Sequence, residues 1–127
     1  MARAQEWLDK YFPKNGKSNH RQIYGTFSQS FPIETIGKTR QEITDLIINH
    51  QNLEGELDLS DFINLKTLDC GGNKLTKIVV NKCQNLSTFV CNDNKLTSLD
   101  LRNNKNLEWI YCACNSLNWS WILKTTP

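Results

Sequence analysis

Seven side chains in this sequence could hold a metal, form disulfides or supply a thiolate nucleophile: Cys70, Cys83, Cys91, Cys112, Cys114, His20 and His50. A zinc site wants four ligands converging on one point, usually from two closely spaced pairs. The best local pair, Cys112-x-Cys114, lacks a matching second pair, and neither histidine falls near it in the chain. Disulfide frameworks usually show even cysteine counts in secreted chains, whereas five cysteines occur here. There is no glycine-rich phosphate loop, Gly-x-Ser-x-Gly, His-Glu-x-x-His or Cys-x-x-Cys. Three of the cysteines do keep a period, with Cys70, Cys91 and Cys112 each 21 residues apart.

That period is shared by other residue types, each in its own phase. Leu65, Leu86 and Leu107, Asn73, Asn94 and Asn115, and Leu75, Leu96 and Leu117 all step by 21 residues. A fixed period of this length predicts a solenoid in which each repeat forms one coil and stacks on the next. The template LxxLxCxxNxLxxL is met by LKTLDCGGNKLTKI, LSTFVCNDNKLTSL and, in part, LEWIYCACNSLNWSW. An earlier copy places Ile43, Leu46, Ile48, Gln51 and Leu53 in the same phases, with one residue added among Glu54, Gly55 and Glu56 before Leu57.

Within each copy the apolar residues alternate, as in Leu65-x-x-Leu68-x-Cys70. This is strand periodicity with one face turned inward, so each coil is expected to give one short strand to a parallel sheet. The cysteines take the second inward position, where a small apolar side chain suits a narrow coil. Side chains stacked in parallel do not turn toward each other, which disfavours a disulfide within the column. Asn73, Asn94 and Asn115 follow the strands, where a buried carboxamide can bond to backbone groups that a turn leaves unpaired. On the opposite side Asn64, Asn85 and Asn106 share a phase, as do Phe62, Cys83 and Asn104. The polar Asn104 predicts poorer packing there toward the C-terminus.

The outward strand positions are not dictated by the fold and are where specificity can be written. They are expected to line a concave face with Lys66, Thr67 and Asp69 in the second coil, Thr88, Val90 and Asn92 in the third, and Glu108, Trp109 and Tyr111 in the fourth. The central file runs Ile47, Asp69, Val90, Tyr111, and Trp109 beside Tyr111 makes an aromatic patch of the kind that anchors contacts. The alternative is that a further coil or segment covers those aromatics.

The elements around this array are less regular. Residues 4–12 place Trp7, Leu8, Tyr11 and Phe12 on one helical face, stopped by Pro13 and Gly16. So short a helix needs a docking surface, which makes residues 1–13 a cap on the first coil. Residues 14–42 show no sustained period and are expected to form a long irregular loop, its aromatics Tyr24, Phe27 and Phe31 covering some surface. Residues 43–127 are the array of about four coils. It ends with Ser120 where the period expects an inward residue, flanked by Trp119 and Trp121. Either these tryptophans fold over the open end, or the chain is a piece of a longer array. An open end exposes strand edges and invites self-association.

Composition bounds the partners. Residues 1–42 carry seven Lys/Arg against four Asp/Glu, and residues 43–127 carry eight against nine, so the net charge of +2 arises before the repeats. That surplus is too small to indicate nucleic-acid binding. No apolar run approaches the length needed to cross a bilayer, and Glu6, Asp9 and Lys10 interrupt what would be a secretory signal. A cytoplasmic location is the expectation, with Asn85-Leu-Ser and Asn118-Trp-Ser then chance glycosylation matches.

The repeat template resembles the leucine-rich-repeat consensus, and more narrowly fungal members with a cysteine rung, whose openings are similar to AQEWLDKYFPK and QNLEGELDLSDFINLKTLDC. The resemblance covers residues 2–12 and 43–119; it departs at Gln51, at Ser120 and over residues 14–41. It implies an α/β solenoid, a short leucine-rich-repeat array with a parallel sheet on the concave face and an N-terminal helical cap. It further implies a non-catalytic scaffold that binds a protein or peptide, without cofactor or metal. The alternative is a regulatory or targeting fragment of a larger polypeptide, whose basic N-terminal segment meets an acidic partner.

Overall fold

The computed structural model describes residues 1–19, 35–117 and 122–124. Its frame is a parallel β-solenoid of about three turns, entered through one helix. Short strands Asp45–Ile47 (β2), Thr67–Asp69 (β4), Thr88–Val90 (β6) and Trp109–Tyr111 (β8) form a four-stranded parallel sheet in the order β2-β4-β6-β8. The register joins residues 22 apart between β2 and β4, as in Asp45 opposite Thr67, and 21 apart thereafter. The period read from the sequence is therefore the length of one coil.

The other side of each coil is also extended chain. Ala2–Arg3 (β1), Leu53–Asp58 (β3) and Lys74–Val79 (β5) form one parallel sheet, and Leu99–Leu101 (β7) with Ile122–Lys124 (β9) form another. The α/β expectation is thus met only by the N-terminal helix, because the described parts of the coils are strands and turns. Beside Gly55, at φ +83°, the β3–β5 register shifts from Gly55 opposite Leu75 to Glu56 opposite Lys77, so the residue left over at this point is Thr76 of β5 and not the one expected among Glu54, Gly55 and Glu56. At the far end Leu99 pairs with Ile122, so the strand returns 23 residues on, two later than the period places it at Ser120. Ser120 itself, Trp119, Trp121, and Tyr24, Phe27 and Phe31 lie outside the described residues.

The inward residues fill the space between the sheets. Leu46, Leu68 and Phe89 form one fully buried column, and Ile48, Cys70 and Cys91 the next. Leu65, Leu86, Leu53, Leu75 and Leu96 complete the same core. In the fourth coil the equivalent Leu107, Ile110, Cys112 and Leu117 are only partly buried, since no further coil packs on them among the described residues. Burying a leucine fully contributes roughly 1.5–3 kcal/mol, so the array gains stability coil by coil and least at this end.

The asparagine column does what its chemistry suggests. Asn94 Nδ2 donates to the carbonyls of Cys70, one coil back, and Cys91, in its own coil, at 3.0 and 3.1 Å, while its Oδ1 accepts from Leu75 N–H at 3.0 Å. Asn73 and Asn115 repeat the pattern on their own neighbours. Gln51 stands at the first rung and turns its amide to the Asn49 carbonyl instead. One residue per coil just before the ladder is left-handed: His50, Gly72, Asp93 and Cys114, with φ of 53°, 68°, 55° and 57°. At Gly72 a side chain would also run into the His50 ring, so glycine is needed there twice over.

At the expected weak point, Asn104, hydrogen bonding satisfies the amide nitrogen but leaves the buried Oδ1 without a partner among the described residues. Its side chain is buried, and Nδ2 donates to the Val80 and Cys83 carbonyls of the preceding coil, both at 2.9 Å. Cys83 does the same more weakly one coil earlier, its thiol 3.5 Å from the Leu59 carbonyl.

The helix Ala4–Tyr11 (α1) lies against β3 with Ala4 and Leu8 buried, and Phe12 just beyond it packs edge-on to Phe62. Trp7 and Tyr11 pack against the same core from its rim. Gln5 exchanges two hydrogen bonds with the Asp58 backbone, at 2.7 and 3.4 Å. A fully inserted cation completes this junction. Arg40 is 2 % exposed and donates from Nε to the Phe12 carbonyl at 2.7 Å, with its other nitrogens on Asp9 at 2.7 Å and Asp61 at 3.3 Å.

Candidate interaction surface

The outer face of the four-stranded sheet carries the residues expected to bind. Main-chain bonds hold them in rows: Lys66 N–H donates to the Thr44 carbonyl, Ser87 N–H to Lys66 and Glu108 N–H to Ser87, at 2.7 to 2.9 Å. Thr67, Thr88 and Trp109 therefore form one file, and Asp69, Val90 and Tyr111 another.

Accessibility divides these residues. Lys66 and Glu108 are exposed, and Thr67, Thr88 and Asn92 are half-buried. Trp109 and Tyr111 are 54 % and 44 % exposed, high values for large aromatic side chains. Asp69 and Val90, by contrast, are 2 % and 1 % exposed, and Ile47 beside them is also buried. Asp69 Oδ1 accepts the Gly71 N–H at 3.1 Å. Asp69 and Val90 share a file with Tyr111, but a position in that file is not the same as an accessible one. The surface a partner can reach is thus concentrated on the fourth coil and on the Lys66 and Thr88 side of the rows.

The Asn92 side chain lies across Gly71 and donates to Asp93 Oδ2 at 2.7 Å. Next to it, around Ile110, Cys112, Ala113 and Leu117, is an open depression of about 360 Å³.

The thiols are chemically quiet. All five cysteines are free. Burial pushes Cys70 well above the ordinary thiol range and Cys83 up to about 12, and it raises Cys91 and Cys112 as well. Cys114 is exposed, yet its hydrogen bond to the Asp93 carboxylate, reinforced by that negative charge, also raises it. A nucleophile or metal ligand needs the thiolate, and these surroundings favour the thiol. No cluster of three or more His, Cys, Asp or Glu suited to a metal ion occurs among the described residues.

No helix among the described residues is long and apolar enough to cross a membrane. Comparisons of the chain with protein families, curated proteins and solved structures find no match. The class of protein that the fold defines is a repeat solenoid with parallel strands and a coil of about 21 residues.

Arg40 is the residue that sequence reasoning missed. It lies in a stretch without period, and its partners are 28, 31 and 21 residues away in the chain.

Proposed function

We propose that this chain is a solenoid of the leucine-rich-repeat type, acting as a non-catalytic scaffold that binds a protein or peptide on the outer face of its four-stranded sheet. The observation that carries this reading is the exposure of Trp109 and Tyr111 side by side on a rigid strand. Large aromatic side chains with few rotatable bonds lose little entropy on binding and are enriched among residues that dominate interfaces. Lys66, Thr67, Thr88, Asn92 and Glu108 provide the polar rim that gives such an anchor orientation.

Two features support a scaffold over an enzyme. The repeating phases are taken up by core packing and by the asparagine bonds, so building the coils accounts for the period. The cysteines are held as thiols by burial and by Asp93.

Affinity capture with the full chain, compared with Trp109→Ala/Tyr111→Ala, tests the proposal. Proteins retained by the native chain should be lost by the double variant while its circular dichroism stays unchanged. Retention of the same proteins by the double variant would remove this face from the binding role.

A further inference from the structure

Asn15 is the one asparagine of this sequence that is followed by glycine. The pair lies on the turn that leaves α1, with Asn15 exposed and Gly16 half-buried. Among the described residues, neither the Asn15 carboxamide nor the Gly16 N–H makes a hydrogen bond. The array uses its asparagines differently, since Asn73, Asn94, Asn104 and Asn115 all commit Nδ2 to main-chain carbonyls. The chain is also fixed on both sides of the pair. Phe12 N–H donates to the Leu8 carbonyl and the Phe12 carbonyl accepts from Arg40, both at 2.7 Å. Ser18 N–H donates to the Lys38 carbonyl at 2.8 Å, and the Tyr11 carbonyl accepts from Ser18 Oγ and Asn19 N–H, each at 3.1 Å.

We propose that Asn15-Gly16 is a site of spontaneous covalent modification, and that its isoaspartyl product loosens the turn that closes residues 11–19 against the cap. The Gly16 main-chain nitrogen, once hydroxide has taken its proton, attacks Asn15 Cγ. The new N–Cγ bond closes a succinimide, and the Cγ–Nδ2 bond breaks and releases ammonia. Water then opens the ring at either carbonyl, giving aspartate in the ordinary linkage or isoaspartate, so water is the only co-reactant. Glycine permits the attack because no Cβ crowds the nitrogen and the backbone can turn it toward Cγ. A carboxamide held by hydrogen bonds would resist the same approach. Isoaspartate carries the main chain through Cβ and Cγ and so lengthens it between two fixed points, Phe12 and Ser18. The bonds that Ser18 and Asn19 donate to Tyr11 are the ones this added length strains. The inference does not rest on the proposed partner binding.

Ageing the full chain in warm, mildly alkaline buffer and mapping its peptides by mass spectrometry, with an isoaspartyl methyltransferase as the probe, reads the reaction. Isoaspartate should accumulate at Asn15 ahead of every other asparagine, and faster as pH rises, because the attacking nitrogen must first lose its proton. Gly16→Ala should slow it by about tenfold or more, since crowding at that nitrogen acts directly on the barrier. The added Cβ would meet Pro13 at an ordinary 3.5 Å, so the turn accepts it. Accumulation at Asn15 no faster than elsewhere, or as fast in Gly16→Ala as in the native chain, would overturn the proposal. The structural consequence is read by amide exchange of the isoaspartyl form, purified by ion exchange, beside Asn15→Asp, which has the same charge and the ordinary chain length. Ser18 and Asn19 should exchange faster in the isoaspartyl form. Equal exchange in the two would show that the turn absorbs the longer chain and would overturn the loosening.

Discussion

At the scale of single residues, the cysteines and asparagines show how similar positions serve different needs. The inward thiols are small apolar filling, and their raised pKa values have a consequence for stability. A group whose pKa is higher in the folded than in the unfolded chain stabilises the fold below its unfolded pKa. That contribution is lost as pH rises toward the folded value. For Cys70, Cys83 and Cys91 the window opens near the ordinary thiol value of 9.0 and reaches about 12 for Cys83. Urea unfolding should therefore show lower stability at pH 10 than at pH 8, with a smaller difference in Cys70→Ala; equal slopes in the two chains would separate the thiol from the effect. The asparagines carry the opposite lesson, because their polar atoms are needed. Asn94→Ala leaves the Leu75 N–H without its acceptor, while the Cys70 and Cys91 carbonyls keep the bonds from Asn73 and Asn115, and is expected to lower stability by about 1–3 kcal/mol in the same assay.

At the scale of elements, what could be read from sequence followed periodicity. Leu68, Phe89 and the cysteine column were legible because strand alternation and the 21-residue step agree on where they point. The strands β3, β5 and β7 were not, because their apolar residues recur over too few positions to distinguish a strand from a turn. The docking of α1 was half legible: its apolar face announced a surface, but the cation that locks it did not appear. Arg40 gathers Phe12, Asp9 and Asp61 from three separate stretches, and no local pattern encodes such a meeting. Arg40→Ala should cost about 2–3 kcal/mol, chiefly by leaving the buried Phe12 carbonyl without its donor. A drop in thermal midpoint accompanied by faster amide exchange in α1 would show this, whereas an unchanged midpoint would reduce Arg40 to a bystander.

At the scale of the whole molecule, the chain separates scaffold from surface. Residues that keep the period build the coils, and of those that break it on the outer face Lys66, Glu108, Trp109 and Tyr111 are exposed. Sequence reasoning identified that face but counted Asp69 and Val90 among its accessible members, although both are buried. Alternation gives the direction of a side chain and says nothing of what lies over it. The separation itself can be measured in one urea unfolding series that compares Leu86→Ala with Trp109→Ala/Tyr111→Ala. Leu86 is fully buried between coils, so its truncation should cost about 2–5 kcal/mol. The aromatic pair lies about half in solvent, so the double variant should lose less than about 1 kcal/mol. A double variant destabilised as far as Leu86→Ala would make the aromatics part of the core and contradict the division of the chain into a repeating scaffold and an exposed outer face.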